Sequence, residues 1–392
     1  MLKITELLQK RLWQKENPVP KNPIKQQPDI AGVLDGKRAF IGPESVVIDL
    51  TNRCNERCIG CWLYSPLLKE KPNSEWLNQE ISFDKARALI SSLAEVGVKR
   101  IRFTGGGEPF MYPKIMELIG YTKTKGIICG ITTNFSLFNK GMVKDLISLE
   151  VDELAISLWA SSKEAYKKTH PNAPSNSFEK IKENLMTLTT EKKNRQIVTL
   201  CNVICNLNCS ELEEMFRFAL EMKVDGVYFT LVDTLDGTEI LLLDKEQRRE
   251  ALRQAEKIQK IWQSLDEEKR IKLDYFEGFV SRLQEQGSLV GNYDRERVNR
   301  IPCYVGWIFA RILADGCVVP CCRGGRKPMG NINSQDFKDI WFSQRYNEFR
   351  MKAKYLTKTD SYFSDIGCLK MCDNLMHNEE INRRIIDMRI QY

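Results

Sequence analysis

Ile48-Asp49-Leu50-Thr51-Asn52-Arg53-Cys54-Asn55-Glu56-Arg57-Cys58-Ile59-Gly60-Cys61-Trp62 decides how this 392-residue chain is read. Val46 to Leu50 is an apolar run of strand length, and a Cys-x3-Cys-x2-Cys loop follows it directly. Four thiolates would close a tetrahedral zinc site or complete the ligation of a cubane, whereas three leave one coordination position open. No fourth Cys or His stands close by, so the loop suits a [4Fe–4S] cluster with one iron free to bind something other than protein. A zinc knuckle with a remote fourth ligand is the alternative, because closely spaced cysteines in a cytosolic chain often hold zinc.

The composition agrees with a metal-rich cytosolic protein. There are 13 Cys and 2 His, His170 and His377. The opening residues, Met1-Leu2-Lys3-Ile4-Thr5-Glu6, run straight into charge, which is not how a signal peptide begins. No apolar run reaches the ~18 residues of a membrane span. A cytoplasmic, reducing compartment is expected, where many cysteines mean metal or catalysis rather than disulfides. The net charge of +7 is spread over mixed signs. It admits an acidic or phosphorylated substrate, but no dense Lys/Arg stripe argues for nucleic acid.

Around this stretch the chain divides into four parts. Residues 1–44 read as an N-terminal arm: an amphipathic pattern (Ile4, Leu7, Leu8, Leu12, Trp13), then a Pro-rich stretch from Asn17 to Pro23 that cannot continue a helix. The arm is expected to pack on the barrel, and it is too short for a peptide-binding domain. Residues 45–235 alternate strand-like and helix-like runs. The strands are Val46–Leu50, Arg100–Phe103, Ile127–Thr132, Glu153–Leu158, Val198–Ile204 and Gly226–Leu231. The helices are Ser82–Val96, Lys114–Thr124, Lys140–Leu149, Ser177–Thr190 and Ser210–Lys223, with Ser82 and Ser210 as N-caps. Six β-α units predict a parallel α/β fold, a partial (β/α)6 TIM-like barrel. Chemistry in such folds sits at the C-terminal strand ends, where the cysteine loop lies. Residues 236–300 read as a helical, polar linker in which no residue carries chemistry. Residues 301–392 are cysteine-rich.

Further features fall at strand ends. Gly105-Gly106-Gly107-Glu108 follows the second strand; glycines let backbone approach a ligand, and Glu108 offers a carboxylate to an ammonium group. Thr132-Thr133-Asn134 follows the third strand, and Ser157 lies in the fourth. Asn202 and Asp233, at the mouths of the fifth and sixth, are expected to face the pocket. The plain readings are a tight βα turn for the glycines and helix capping for the hydroxyl and amide groups.

In order and spacing these features resemble the radical S-adenosylmethionine (SAM) enzymes over roughly 45–235. The resemblance makes Cys54, Cys58 and Cys61 the ligands of a catalytic [4Fe–4S] cluster whose free iron binds SAM. It makes Gly106, Gly107 and Glu108 the holders of the SAM amino group, and places Asn134 and Ser157 at its ribose and carboxylate. Two positions depart from the family: Gly60 stands where an aromatic residue usually precedes the third cysteine, with Trp62 just after it. In many relatives an Arg falls near His170, which either replaces that Arg's SAM contact or, as the favoured reading, is a surface residue.

From Cys303 onward the chain resembles the SPASM/twitch extension of that family, which binds auxiliary iron–sulfur clusters. Asp315-Gly316 reads as a hairpin turn that brings Cys321 near Cys303. With only the Cys368-x3-Cys372 pair after the hairpin, the segment resembles the shorter twitch form. Cys303, Cys321, Cys368 and Cys372 are then the ligands of one auxiliary [4Fe–4S] cluster, and Cys317 and Cys322 are spare. Four cysteines holding zinc is the rival reading.

The resemblance implies an external one-electron reductant of the flavodoxin or ferredoxin type. It also implies a 5′-deoxyadenosyl radical that takes a hydrogen atom from a substrate. A small molecule (sugar, cyclitol or other alcohol; oxidised, epimerised or dehydrated) is the first expectation. A peptide-modifying maturase is the second, and a non-catalytic zinc or iron–sulfur protein the third. Epimerisation would call for a thiol hydrogen donor, for which Cys201 and Cys205 are candidates on one strand face, although buried cysteine as a small hydrophobe is the plainer reading.

Overall fold

The computed structural model describes residues 28–390. The predicted amphipathic and Pro-rich pieces of the arm therefore lie outside the described residues. The arm's remainder begins with α1 (Pro28–Asp35) and packs on two regions. Arg38 and Ile41 accept bonds through their carbonyls from the indoles of Trp307 and Trp341, and Gly42 donates to Val96.

All six expected strands form, with ends shifted by a residue or so: β1 (Ser45–Asp49), β2 (Arg100–Thr104), β3 (Ile128–Thr133), β4 (Glu153–Ser157), β5 (Ile197–Ile204) and β6 (Gly226–Leu231). They pair in sequence order and in parallel. The predicted helices cover them: α2 (Phe83–Glu95), α3 (Ile115–Thr124), α4 (Lys140–Ser148), α6 (Ser177–Glu191) and α7 (Leu212–Glu221); the shorter α5 (Lys163–Thr169) precedes α6. Ser82 occupies an N-cap position but its side chain makes no capping bond, and the residue capping α7 is Glu211 rather than Ser210.

The sheet runs beyond the six-strand prediction at both edges. β7 (Lys272–Asp274) adds in parallel to β6, and β8 (Phe309–Ile312) adds in parallel to β1. β9 (Cys317–Val319) and β10 (Gly330–Asn331) continue antiparallel from β8. The result is one open, ten-stranded, mostly parallel sheet in the order β10-β9-β8-β1-β2-β3-β4-β5-β6-β7. Two expectations change. The 236–300 segment holds the long α8 (Lys245–Ser264) but also contributes β7 and α9 (Phe276–Gln284). The cysteine-rich segment also shares the barrel's sheet, because β1 is apolar on both faces and is buried along Val46 to Asp49 only with a strand on each side. The chain ends in α10 (Phe337–Trp341), α11 (Gln344–Tyr355) and α12 (Leu375–Ile390).

Candidate functional site

The cysteine loop leaves β1 at its C-terminal end and is held from several sides. Ile59 N–H donates to Thr169 O at the end of α5 (2.8 Å), and Tyr64 Oη donates to Asn52 O (2.6 Å). The backbone N–H groups of Leu63 and Tyr64 point at Cys61 Sγ (3.5 and 3.4 Å). Gly60 is required by space: a Cβ there would stand 2.9 Å from Val232 Cγ2. Trp62, the aromatic residue that follows the third cysteine, donates its indole N–H to Asp233 O (2.8 Å). Burial pushes the Cys54 thiol up to about 12, and burial together with Cys61 and Cys54 raises Cys58 well above its usual value. Three thiols raised this way need a cation beside them to ionise, and iron supplies that charge.

The glycine-rich turn after β2 lies against this loop. A Cβ on Gly106 would meet Asn52 Oδ1, and one on Gly107 would meet Arg53 O, both at 1.9 Å. Only glycine lets the two loops touch. Glu108 sits behind them, 3% exposed, and its carboxylate accepts from Thr133 Oγ1 (2.7 Å), Asn134 N (2.8 Å) and Phe110 N (3.1 Å). Burial raises its pKa to about 7. Asn134 in turn donates to Asn55 Oδ1 (2.9 Å). Glu108 and Asn134 thus form a bonded bracket behind the Cys54–Cys58 segment.

In front of the bracket is a cavity of about 510 Å³. Cys58, Cys61, Gly106 and Ser157 line it, together with Cys322, Met371 and Asp373. Cys54, Gly107, Glu108 and Asn134 are not part of its wall. Trp159 lines it with a left-handed backbone (φ 58°), held by Asn208 Nδ2 on its carbonyl (3.0 Å) and donating its indole N–H to Ser157 Oγ (2.8 Å). Strain in a non-glycine residue of this kind persists only where its surroundings over-determine it.

Several residues at or beside the wall were not singled out from the sequence. Arg311 of β8 forks onto Asp49 of β1 (Nη2–Oδ2 2.8 Å, Nε 3.1 Å to both oxygens), and both are largely buried. Arg323 pairs with Asp233 and lies over the Trp62 ring (5.5 Å). Asp373 accepts from the Cys322 thiol; burial raises its pKa, and the nearby Arg282, Arg323 and Arg311 guanidiniums oppose that rise. A charged residue at a strand end was the available signal for Asp49; Arg311 and Arg323 carried none, because their partners are remote in sequence. Asp233 lines the cavity as expected. Asn202 does not: it is 1% exposed and its amide has no partner among the described residues.

Cys322, one of the two thiols left outside the expected ligand set, lies in the turn after β9 and lines the cavity. Cys205 packs in a small apolar cluster with Val232 and Leu241, in line with the plainer reading of cysteine as a small hydrophobe, while Cys201 is half-buried near Arg102; neither lines the cavity. His170 is not at the surface: it is 1% exposed and stacked on Tyr166 (4.1 Å, 10°).

The C-terminal cysteines converge from three segments. Burial raises the Cys321 pKa most, and the nearby Cys368, Cys322, Cys303 and Cys372 thiols each add to the rise. Cys303 is anchored by its N–H on Ala353 O (3.1 Å). Cys372 is held through its N–H on Asp294 Oδ2 (2.7 Å), and its carbonyl accepts from Arg282 Nη2 (3.2 Å). Arg282 and Asp294 form a buried pair (2.8 and 2.9 Å), so the segment read as an inert linker places a thiol. The hairpin forms as expected, with Gly316 at φ 84° and Asp315 Oδ1 accepting from Cys317 N. Among the described residues no three His, Cys, Asp or Glu side chains converge on a point fit for a single metal ion. A loop of three thiols, two of them lining an open chamber, suits a cluster with a free iron, and the gathered C-terminal thiols suit a cluster ligated by protein alone.

Comparison with known proteins agrees with this geometry. Residues 48–219 match the model of the radical SAM superfamily, and residues 303–366 match that of an iron–sulfur cluster-binding domain, SPASM. The chain is 26% identical over 346 residues to the tungsten-containing aldehyde ferredoxin oxidoreductase cofactor-modifying protein of Pyrococcus furiosus, covering 82% of this chain and 86% of that protein. It is 26% identical over 321 residues to the AdoMet-dependent heme synthase of Nitratidesulfovibrio vulgaris, covering 79% and 82%. The solved structure of Streptococcus suis SuiB bound to the precursor peptide SuiA has the same fold (TM-score 0.60, 17% identity, 91% of this chain and 77% of that one). The chain belongs to the radical SAM superfamily: it is a radical SAM enzyme that uses a [4Fe–4S] cluster and SAM and carries an auxiliary cluster in a C-terminal SPASM domain.

Proposed function

We propose that this enzyme acts in the cytoplasm on a small, hydroxyl-bearing molecule such as a sugar, cyclitol or other alcohol, which it oxidises, epimerises or dehydrates. The observation that carries this reading is the continuous cavity from the Cys58–Cys61 loop to Cys322 and Asp373. Its ~510 Å³ is the size of a small-molecule pocket. Cys54, Cys58 and Cys61 would hold the catalytic cluster, with Gly106, Gly107 and Ser157 beside SAM; Cys303, Cys321, Cys368 and Cys372 would hold the auxiliary one. When bound, the cluster and SAM supply reductive cleavage to methionine and a 5′-deoxyadenosyl radical that abstracts a hydrogen atom.

The chain's own residues do the rest. The glycine turn brings backbone against SAM's methionine end, and the Glu108–Asn134 bracket keeps the cysteine loop in register. Trp62, Trp159, Leu231 and Met371 give the chamber an apolar lining. Asp373, Tyr228 and Thr230 line the cavity and offer polar groups to which a substrate hydroxyl can bond. Peptide modification is the second reading, because a fold neighbour was solved with a precursor peptide bound.

Deuterium transfer separates the two. The reconstituted enzyme is given SAM, dithionite and either a deuterated low-molecular-mass extract or a deuterated peptide fraction. Label in 5′-deoxyadenosine from the first fraction alone supports the proposal; label from the peptides alone replaces it.

A further inference from the structure

Buried charge is unevenly distributed in this chain. Among the described residues the buried acids Asp49, Glu56, Glu108 and Asp233 lie around the cysteine loop and the cavity, and Asp294 is paired with Arg282. The buried Lys and Arg side chains are Arg282, Arg350, Lys354 and Lys358, and all four surround the C-terminal cysteines. Arg282 bonds Cys372 O, Arg350 bonds the carbonyl of Gly306 three residues after Cys303, and Lys354 follows Ala353, whose carbonyl accepts from Cys303 N.

Two of these cations have only neutral partners. Arg350 donates to Gly306 O (2.6 Å), Trp341 O (2.8 Å) and Asn347 Oδ1 (2.8 Å), and lies over the Trp341 and Tyr346 rings (4.6 Å each). Lys358 Nζ donates to Ala353 O (2.7 Å) and Leu356 O (3.0 Å) and lies over the Phe363 ring (4.6 Å). Neither has a salt bridge among the described residues. A cation taken out of water without a counter-charge is costly. Four thiolates around a [4Fe–4S] core carry net negative charge, and they are the counter-charge within reach. Lys358 and the Cys303 amide share Ala353 O (2.7 and 3.1 Å). Burial and Cys303 push the Cys368 thiol up to about 12, and Lys358 and Arg323 oppose that rise.

α11 adds a hydroxyl. Its buried face carries Tyr346, Arg350, Ala353 and Lys354, spaced as one helical stripe. Tyr346 is 0% exposed, yet its Oη has no hydrogen-bond partner among the described residues. Burial raises its pKa, Arg350 opposes the rise and Cys321 adds to it, so Arg350 and Cys321 are the charges that the hydroxyl senses. A buried O–H calls for an acceptor, and a ligating thiolate is one.

We infer that Lys358 and Tyr346 set the reduction potential of the C-terminal centre, Lys358 by its charge and Tyr346 by a hydrogen bond to the Cys321 sulfur, and make that centre more oxidising than the one at the loop. The inference rests on the assignment of Cys303, Cys321, Cys368 and Cys372 as its ligands. Uptake of one electron adds one negative charge to the centre and moves no atom. A buried cation and a donated hydrogen bond stabilise that added charge, whereas the carboxyl groups of Glu56 and Glu108 beside Cys54 oppose it at the loop.

The test is a redox titration of the reconstituted full-length enzyme followed by electron paramagnetic resonance, with zinc and iron measured alongside. The signal that persists when Cys54, Cys58 and Cys61 are changed to Ala identifies the C-terminal centre, which should be reduced first in wild type. At the potential where that centre is half reduced, its reduced-to-oxidised ratio should fall roughly tenfold in Lys358→Met, a shift of about 59 mV for one electron. Lys358→Arg should restore most of it, and Tyr346→Phe should shift the centre the same way by less. The loop centre should not move. Tyr346→Phe removes only an unpartnered hydroxyl and keeps the ring beneath Arg350, so it decides the matter should Lys358→Met lose its iron. An unmoved C-terminal centre in Tyr346→Phe and Lys358→Met, an equal shift at the loop, or a loop centre reduced first would overturn the inference alone. Zinc in place of iron at the four thiols would overturn the ligand assignment as well.

Discussion

Cys54, Cys58 and Cys61 stand in the single loop 54–61, whereas Cys303, Cys321, Cys368 and Cys372 come from segments spread over 303–372. The first site's thiols share one loop, which Tyr64 closes on Asn52 from nearby, while Gly106 and Gly107 against Asn52 and Arg53 and Asn134 on Asn55 steady it from other strands. The second depends on the tertiary fold. Its hairpin must join β1 through β8, its last thiol must reach Asp294, and Arg323 must tie the turn after β9 to Ile366 O (3.2 Å) and to Asp233. A site made by one loop should survive insults to the fold that a gathered site does not.

The largest effect expected is on the loop itself. With Cys54, Cys58 and Cys61 all changed to Ala, SAM cleavage should vanish and iron should fall from about eight to about four per chain. The remaining iron should be the auxiliary cluster's, since no contact that gathers Cys303, Cys321, Cys368 and Cys372 runs through the three thiols. Anaerobic iron and sulfide assays with zinc measured alongside decide it; loss of all iron would break the comparison.

Arg311→Met probes the gathered site. It leaves Asp49 buried without its partner, a situation that typically costs ~3–5 kcal/mol. Urea unfolding should show a loss of that order. Iron bound at the C-terminal site should fall before iron at the loop, because Arg311 joins β8 to β1 and also donates to Cys322 O (3.3 Å). Equal loss from both sites would show that the shared sheet, not the separate loops, sets cluster retention.

This contrast also explains what the sequence disclosed. The six parallel strands were legible because each is an apolar run bounded by turn residues. The cysteine loop was legible because its ligands are neighbours in sequence. β7 and β8 were not: Lys272–Asp274 is three polar-flanked residues, and Phe309–Ile312 becomes a sheet strand only because β1 offers an open edge. Residues at or beside the cavity's wall escaped for the same reason. Arg311, Arg323 and Asp373 acquire their roles from partners more than one element away, and no periodicity marks such pairs. Cys201 and Cys205 showed the converse failure, since sequence spacing suggested a shared face while the chain turns after Ile204 and puts Cys205 among Val232 and Leu241.

A smaller effect distinguishes the thiols. Cys205→Ala should leave SAM cleavage and turnover intact, because its side chain does not reach the chamber; only a modest loss of stability, ~1–2 kcal/mol, is expected from the emptied space. Cys322→Ala removes a wall group that bonds Asp373, so its effect should appear in turnover while iron content and SAM cleavage hold. Product that stops at exchange of deuterium from solvent in one variant and not the other would identify the thiol that returns hydrogen.

The finest test concerns the helix that supports the loop. His170 closes α5 beside the Thr169 carbonyl that holds Ile59, and burial lowers its pKa to about 4. Its ordinary value is 6.5, so between those pH values the unfolded chain takes up a proton that the folded chain refuses. Stability is therefore complete above about pH 6.5 and declines as pH falls toward 4, by roughly 3 kcal/mol in all. His170→Phe keeps the stack on Tyr166 but removes the titrating group, along with the Thr169 Oγ1 contact to Nδ1 (2.9 Å). The variant should lose less stability than wild type between about pH 7 and about pH 4.5, read from urea midpoints. Iron at the loop should then be retained further into acid as well. An unchanged pH slope would mean that another buried group governs acid unfolding, and that the loop's support is not limited by this residue.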